Sequence, residues 1–257
     1  MKKNQKTKVI SIVNQKGGTG KTTTAVNLAK ALELLGYKVL LVDFDPQGSL
    51  SYYLDIEDAS PNIADVLLGE ANIEDALLQV SGMHVLPSNT ELADLEISLA
   101  NYDARESLLK EYLSRIQENY DYIIIDCSPS LSLLTVNALV ASHHIIIPIP
   151  MEVLSFHGLH LIKDTVQAVK ETLNPSLNIL GILVVKYSPV RRITTQLLTA
   201  IQEEFSDTLT FKTKIRLDTR LIESPAYGNN IFETAPNSKG AEDYLDFAKE
   251  IIQLTKK

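Results

Sequence analysis

Short apolar runs alternate with longer stretches that carry apolar residues at helical spacing along most of the chain. The β-branched runs predict strands at Val9–Val13, Val39–Val42, His84–Leu86, Tyr122–Ile125, Ile145–Ile149 and Ile179–Val185, with a weaker one at Thr210–Ile215. The helical spacing predicts helices at Thr22–Leu35, Ala64–Leu68, Leu92–Asn119, Leu133–Ala141, Gly158–Leu173, Thr194–Phe205 and Ala241–Leu254. No internal repeat, low-complexity segment or Pro/Gly/Ser-rich linker interrupts this alternation.

The alternation predicts an α/β fold: a doubly wound, mainly parallel sheet with helices on both faces. The runs YIIID and HIIIPIP are apolar at consecutive positions, which is typical of strands buried on both faces. Ligands of such sheets gather at the carboxyl ends of the strands, so the residues that follow each strand are the candidates for chemistry. We expect one domain over residues 1–257, with a flexible basic amino terminus over residues 1–8.

Composition narrows the class of protein. With 257 residues, of which 45% are hydrophobic, the chain can bury a sizeable core and is too apolar to be disordered. No apolar run approaches the roughly 18 residues that span a bilayer, so no membrane partner is expected. The single cysteine, Cys127, cannot form an internal disulfide, which fits a cytoplasmic protein. The net charge of −8 argues against a generally basic nucleic-acid binder but leaves room for a local basic patch.

A Gly-rich loop joins the first predicted strand to the first predicted helix. Its sequence from Asn14 to Thr24 is NQKGGTGKTTT, and Gln15 stands where the usual pattern G-x-x-x-x-G-K-[ST] has its first glycine. The glycines let backbone N–H groups close around a polyphosphate, and the following helix directs its positive end to the same place. Lys21 can reach the β- and γ-phosphates, and the Thr22 hydroxyl can bind Mg²⁺.

Two more strands end in carboxylates. Asp43 and Asp45 follow the second strand on the same side, because strand side chains alternate with period two. They could face the γ-phosphate, one near the metal and one orienting water, although an acidic turn after a buried strand has the same spacing. Asp126 ends a run of four apolar residues, the form of a Walker B strand that binds Mg²⁺. Cys127 beside it is better explained as a packing residue than as a nucleophile.

Several strings resemble boxes of one family. KGGTGKTT at residues 16–23 resembles the deviant Walker A motif K-G-G-x-G-K-T-T of the ParA/MinD family of ATPases. VLLVDFDPQGS is similar to the box D-x-D-P-Q-G-N, with Ser49 in place of Asn, and DCSPSLS resembles switch II. Residues 220–228 and 238–241 resemble the R-x-S-E-A-P-S-x-G and S-K-G-A boxes of small, Soj-type ParA partition proteins. The resemblance therefore covers nearly the whole chain.

This resemblance implies a P-loop ATPase of the deviant Walker A type that uses ATP and Mg²⁺ and forms a homodimer in its ATP state. The family's signature lysine, which reaches the nucleotide of the other subunit, corresponds to Lys16, although a solvated loop lysine stays open for Lys16 alone. The implied catalytic residues are Lys16, Lys21 and Asp45, with Asp45 orienting the attacking water. The implied nucleotide contacts are Lys16, Gly17, Gly18, Thr19, Gly20, Lys21, Thr22 and Thr23. The implied metal environment is Thr22, Asp43 and Asp126.

The resemblance also implies partners. ParA-type ATPases bind non-specific DNA when ATP has dimerised them, and Arg191 and Arg220 lie in or near the stretches that supply their DNA-binding arginines. Arg192 and Arg216 add local positive charge, although all four are equally compatible with solvated surface charges on an acidic protein. The implied function is segregation of plasmid or chromosome DNA at the nucleoid, with a ParB-like centromere-binding protein that stimulates hydrolysis.

Other functions stay open. A MinD-like membrane-cycling ATPase would need an amphipathic helix beyond the last core helix, and the sequence as given stops at IIQLTKK. A protein-compartment-positioning ATPase would use the same cycle as a partition protein. A reductase like the nitrogenase iron protein would need two cluster-binding cysteines, and only Cys127 exists. An ATP-dependent biosynthetic synthetase on a related fold would need a pocket for its acceptor substrate.

Overall fold

The computed structural model describes residues 6–99, 102–151, 157–189 and 192–256. The strands are β1 (Lys8–Ile12), β2 (Val39–Phe44), β3 (Leu78–Val80), β4 (Met83–Leu86), β5 (Tyr122–Cys127), β6 (His144–Pro150) and β7 (Asn178–Val185). The α-helices are α1 (Lys21–Leu34), α2 (Ser49–Tyr53), α3 (Ile63–Leu68), α4 (Glu91–Ser98), α5 (Leu108–Ile116), α6 (Leu133–Ala141), α7 (His157–Thr172), α8 (Arg192–Glu204), α9 (Arg220–Glu223), α10 (Ile231–Thr234) and α11 (Lys239–Thr255). Short 3₁₀ helices lie at Ile73–Ala76, Arg105–Ser107, Gln117–Asn119 and Ser224–Tyr227.

The strands form one seven-stranded sheet in the order β3-β4-β2-β5-β1-β6-β7. Strand β5 lies in the centre, and β1 next to it pairs in parallel with β5 on one side and β6 on the other. Among the described strands, only the edge strand β3 is antiparallel to its neighbour. The prediction of a doubly wound, mainly parallel sheet is thus confirmed.

Two hydrophobic clusters cover the two faces of the sheet. Along β2, Leu40, Val42 and Phe44 belong to the cluster under helices α3–α8, whereas Val39 and Leu41 belong to the cluster under α1, α2, α10 and α11. The same alternation in β5 places Tyr122 and Ile124 under α1. Because side chains alternate with period two, Asp43 and Asp126 lie on the α1 face, next to the loop that starts α1.

The prediction of one long helix at Leu92–Asn119 is wrong, because the structure interrupts the helix in the middle of this range. The structure has α4 and α5 instead, and between them Ala104 has φ of 55°, which a right-handed helix excludes. The α6 residue Asn137 holds this break, because its amide donates to the Arg105 carbonyl (2.8 Å) and its carbonyl accepts from the Leu109 N–H (3.2 Å). A tertiary contact thus overrides the helical periodicity.

The weaker strand predicted at Thr210–Ile215 is not a strand of the sheet. The segment meets β7 at an isolated bridge between Ile182 and Thr210, and the Ile215 N–H donates to the Val184 carbonyl (2.9 Å). Between these points the N–H groups of Lys212 and Thr213 donate to the Glu250 carboxylate of α11 (2.8 and 2.9 Å). The α11 carboxylate therefore takes the donors that a strand would need.

The periodicity did not predict the short elements. The flexible segment predicted at the amino terminus also extends too far along the chain. Strand β3 and helices α2, α9 and α10 each have three to five residues, too few to show a period. Thr7 is buried, and its hydroxyl hydrogen-bonds the carbonyls of Gln117 and Tyr120 (2.7 and 2.9 Å). Because Lys8 then begins β1, the flexible segment predicted for residues 1–8 does not include these two residues.

Candidate functional site

The loop between β1 and α1 is fixed at its start by Asn14. The Asn14 amide donates to the Pro148 carbonyl at the end of β6 (2.7 Å), and its side-chain carbonyl accepts from the Lys16 N–H (3.0 Å). Gly18 and Gly20 have φ of 71° and 84°, values that residues with a Cβ rarely adopt. The Lys16 carbonyl accepts the Thr19 hydroxyl across the loop (3.2 Å). The loop therefore has the compact, glycine-dependent form that the sequence predicts.

Helix α1 begins without a side-chain cap. Its N-cap is Gly20, and its first turn contains no acidic residue. The N–H groups at the start of a helix need an acceptor, and the helix macrodipole makes an anion the favoured one. The structure thus presents an uncapped helix start beside three glycines, which fits a phosphate group.

Lys21 lies at this helix start and is only 6% exposed. Its ammonium donates to the Lys16 carbonyl at 3.4 Å. Burial lowers the pKa of Lys21, and the nearby carboxylates of Asp126 and Asp45 oppose that shift. On the other side of the loop, the Lys186 ammonium donates to the Gly18 carbonyl (3.1 Å), a contact that no motif in the sequence indicates.

Thr22 and Asp126 form the pair expected of a magnesium site. The Thr22 hydroxyl donates to Asp126 Oδ2 at 2.7 Å. The other oxygen, Oδ1, is buried and has no hydrogen-bond partner within the described part of the chain. Burial raises the pKa of Asp126 well above its usual range, and Asp43 adds to the shift. An orphaned carboxylate oxygen beside a hydroxyl fits Mg²⁺, which is commonly bound by one or two protein oxygens together with substrate phosphates.

The described residues contain no group of three or more His, Cys, Asp or Glu side chains that could enclose a metal ion. Burial raises the pKa of the Cys127 thiol to about 12. Cys127 is therefore a protonated packing residue, as the sequence analysis expects.

Asp43 lies at the end of β2 and is tied to the loop that follows it. It is fully buried, its Oδ2 accepts from both the N–H and the hydroxyl of Ser51 (2.8 Å each), and its Oδ1 accepts from the Asp45 N–H (3.2 Å). Burial raises the pKa of Asp43 to about 6. Both carboxylate oxygens of Asp43 thus accept hydrogen bonds from the chain and hold the loop after β2, and its place in the metal environment stays a prediction.

Asp45 is the first residue of the loop after β2, and it is 6% exposed. Its Oδ1 accepts from the Gln47 N–H (3.0 Å), and its carbonyl accepts from the Gly48 N–H (2.9 Å) and the Ser88 hydroxyl (3.0 Å). The sequence analysis did not find Ser51 or Ser88, since neither belongs to a motif that it used. The loop that carries Asp45 is thus tied to both α2 and β4.

A mostly apolar cavity of about 290 Å³ opens beside the phosphate loop. Its wall combines the start of α1, the end of β7 and the segment before α9, and it includes Gly20, Thr23, Tyr53, Val185, Ile215 and Tyr244. A pocket of this kind next to a phosphate loop suits the flat base of a nucleotide. The sequence analysis could not identify base contacts because these residues come from widely separated parts of the chain.

The four predicted DNA-binding arginines do not share one environment. Arg191 lies outside the described residues, and Arg192 begins α8. The Arg216 guanidinium is paired with Asp243 (2.7 Å) and Glu242, and these carboxylates raise its pKa further above the usual value. Arg220 is exposed at the start of α9 and forms no ion pair within the described ranges. Because two carboxylates already offset the charge of Arg216, we expect it to contribute less to DNA binding than Arg220.

None of the described helices is both long enough and apolar enough to cross a bilayer.

Comparisons with known proteins agree with this geometry. A family model described as an AAA domain matches residues 7–179. The sporulation initiation inhibitor protein Soj of Bacillus subtilis is 42% identical over 248 residues, which cover 95% of this chain and 98% of that protein. The chromosome partitioning protein ParA of Caulobacter vibrioides is 36% identical over 251 residues, covering 95% of this chain and 94% of that protein.

A solved structure of cobyrinic acid a,c-diamide synthase from Mycobacterium smegmatis, with bound ADP and magnesium, has the same fold. Its TM-score is 0.87 at 33% identity, over 96% of this chain and 94% of that chain. The sheet order, the phosphate loop and the full-length sequence matches all point to one group of proteins. The chain belongs to the ParA/MinD family.

Proposed function

We propose that this protein is a switch ATPase of the partition type. It binds ATP, forms a homodimer, holds non-specific DNA in that state, and hydrolyses ATP to ADP and phosphate. The observation that carries the proposal is the uncapped start of α1 beside buried Lys21 and the Thr22–Asp126 pair. Membership of the ParA/MinD family supports nucleotide hydrolysis in general.

Residues 16–23 would bind the phosphates of ATP. The backbone N–H groups of the glycine loop and the start of α1 are the donors, and Lys21 supplies a positive charge among them. Burial lowers the pKa of Lys21 in the free protein, so an added polyphosphate would favour its charged form. The apolar cavity beside Gly20 and Thr23 would take the base.

Thr22 and Asp126 would hold Mg²⁺. The metal, when bound, neutralises phosphate charge and helps to orient the oxygens. Asp45 would orient the attacking water. Lys21 of the same subunit, together with Lys16 of the partner subunit, would stabilise the charge that develops on the transferred group. Because catalysis of this kind is mainly positioning, we expect slow turnover until a partner completes the site.

The role in DNA segregation rests on the relatives. One relative is named a sporulation initiation inhibitor and another a chromosome partitioning protein. By analogy the dimer would bind the nucleoid through a few pooled arginines, Arg220 among them, and a ParB-like protein would stimulate hydrolysis and release. Pooling matters here because the net charge of −8 gives a single subunit little general attraction for DNA.

A second candidate is an ATP-dependent biosynthetic synthetase, which the Mycobacterium smegmatis synthase structure favours. The two functions predict different dependences of phosphate release. A synthetase releases phosphate only when its small-molecule acceptor is present, whereas a switch ATPase releases it slowly alone and faster with a protein partner and DNA.

The test measures phosphate release from ATP and Mg²⁺ by the wild-type protein, Asp45→Ala and the control Asp164→Ala, whose side chain lies on the exposed surface of α7. We expect slow turnover in the wild type and the control, and none in Asp45→Ala, which still binds ATP and dimerises. Salt-sensitive binding of arbitrary duplex DNA should require ATP. Wild-type turnover in Asp45→Ala would disprove the role of Asp45, and the absence of ATP-dependent DNA binding would disprove the partition role.

A further inference from the structure

A closed ring of hydrogen bonds surrounds the backbone of Asp45. Asp43 Oδ1 accepts from the Asp45 N–H (3.2 Å), and Asp43 Oδ2 accepts from the Ser51 hydroxyl (2.8 Å). The same Ser51 oxygen accepts from the Ser88 N–H (3.0 Å), and the Ser88 hydroxyl donates to the Asp45 carbonyl (3.0 Å). The ring therefore fixes both backbone polar groups of Asp45. Asp43, itself held by α2, accepts from its N–H, and Ser88, just after β4, donates to its carbonyl.

The ring is almost sealed from water. Asp43, Ser51, Ser88 and Asp45 are 0%, 3%, 6% and 6% exposed. Buried hydrogen bonds of this kind are not replaced by water when one partner is removed, so the removal leaves an unsatisfied group or a shifted backbone.

The Ser51 hydroxyl does more than the start of α2 requires. The Ser51 N–H already donates to Asp43 Oδ2 at 2.8 Å, and this bond would still join α2 to β2 without the hydroxyl. The hydroxyl adds the link to the Ser88 N–H, which closes the ring on Asp45. Its removal would leave the backbone bond of α2 in place and disconnect β4 from Asp43.

We propose that Ser51 is a positioning residue for Asp45. Its hydroxyl fixes the rotamer of Asp43 and the position of Ser88, and these two residues together set where the Asp45 carboxylate points. This inference rests on the proposed function, in which Asp45 orients the attacking water. Ser51 itself touches neither substrate nor water in this role.

The experiment compares Ser51→Thr, which keeps the hydroxyl, with Ser51→Val, which has nearly the same shape without it. We expect Ser51→Val to lower kcat on the order of tenfold to a hundredfold, as small misplacements of catalytic groups do, while KM for ATP and the melting temperature stay close to those of Ser51→Thr. Ser51→Thr should keep most of the wild-type kcat. Ser114→Ala, an exposed serine on α5, is the control and should behave as wild type.

Four outcomes overturn the proposal. Equal kcat values for the Thr and Val variants show that the hydroxyl is not needed. A loss that appears only as a higher KM, with kcat unchanged, shows that Ser51 does not position Asp45. A fall in kcat that is fully explained by a lower melting temperature shows a merely structural role. If Ser51→Val does not fold, Ser88→Ala against Ser88→Thr tests the same ring, and an unchanged kcat for Ser88→Ala overturns it. A wild-type protein without ATP turnover instead disproves the proposed function, so the two failures are distinguishable.

Discussion

Asp43 and Asp126 are register partners on the neighbouring parallel strands β2 and β5, and both are buried on the α1 face of the sheet. Their hydrogen bonding differs sharply. Asp43 accepts three hydrogen bonds from Ser51 and Asp45, whereas Asp126 accepts one, from Thr22, and has one orphaned oxygen. Two adjacent buried carboxylates thus differ: Asp43 holds a loop, and Asp126 has an oxygen without a partner among the described residues, which we propose to be available to a cation.

The variant Asp126→Asn should separate stability from ligand binding. Burial and Asp43 raise the pKa of Asp126, so its charge costs folding free energy at pH 8. We expect Asp126→Asn to raise the melting temperature without nucleotide, by about 2–4 °C for each kcal/mol gained, and to reduce the further rise that ATP and Mg²⁺ give the wild type. Differential scanning fluorimetry measures both shifts.

The exposed Asp103 provides the control, because Asp103→Asn should change neither shift. A lower melting temperature in Asp126→Asn, together with an undiminished rise on adding ATP and Mg²⁺, would contradict the metal role of Asp126.

Lys16→Ala should weaken ATP-dependent dimerisation more than ATP binding. The backbone of Lys16 is held by Asn14 and Thr19, so truncating its side chain leaves the loop in shape. Loss of a charge that reaches the partner's nucleotide should weaken the dimer about tenfold or more, with a much smaller change in the affinity for ATP. Analytical ultracentrifugation and binding of a fluorescent ATP analogue test this, with Lys170→Ala on α7 as the control. A wild-type ATP dimer in Lys16→Ala would exclude the role in trans.

The phosphate loop could be predicted from the sequence because its chemistry is local. Gly18, Gly20, Lys21 and Thr22 lie within a few residues of each other, and glycine at positive φ is required wherever the chain turns this way. The central strands were equally predictable, since strands buried on both faces are apolar at every position.

The parts that the sequence could not predict depend on pairs distant along the chain. Ser88 lies 43 residues from Asp45, and Asp243 lies 27 residues from Arg216. An arginine that α11 neutralises and an arginine that faces water look the same in a sequence. For this reason the carboxylate partners of Arg216 could not be predicted, and the DNA-binding roles of Arg216 and Arg220 both stay predictions.

His143 should make the fold sensitive to acid. Its Nδ1 accepts from the Val9 N–H near the start of β1 (3.0 Å), which requires the neutral ring. Burial lowers its pKa to about 4, and nearby positive charges such as Lys6 add to the shift. The folded pKa lies below the unfolded value of 6.5, so the unfolded chain binds more protons between these values. Stability should therefore be full above pH 6.5 and fall as the pH decreases toward 4.

The variant His143→Asn keeps an acceptor at the same position and does not titrate. Melting temperatures between pH 4 and pH 7.5 should fall less steeply in this variant than in the wild type. Parallel curves for the two proteins would show that other groups cause the acid sensitivity.

Arg216→Ala and Arg220→Ala should have opposite effects on stability and DNA binding. Arg216 donates from Nε to Asp243 (3.0 Å), which has a side chain only 9% exposed, so truncating Arg216 removes the positive charge from a nearly buried carboxylate and leaves it only the Arg216 backbone N–H (2.7 Å). We expect this to cost on the order of 1–3 kcal/mol of folding free energy.

Arg220 is exposed on α9, so Arg220→Ala should keep the stability and weaken binding of the ATP-bound protein to DNA of any sequence. The slope of log affinity against log salt should become shallower by about 0.9 for each DNA phosphate that the variant no longer neutralises. Arg115→Ala on α5 is the control, because the exposed Arg115 contacts only its helix neighbours Glu111 and Tyr112 among the contacts of the described residues. Unchanged DNA binding in Arg220→Ala, with loss of binding in a fully stable Arg216→Ala, would reverse the two roles.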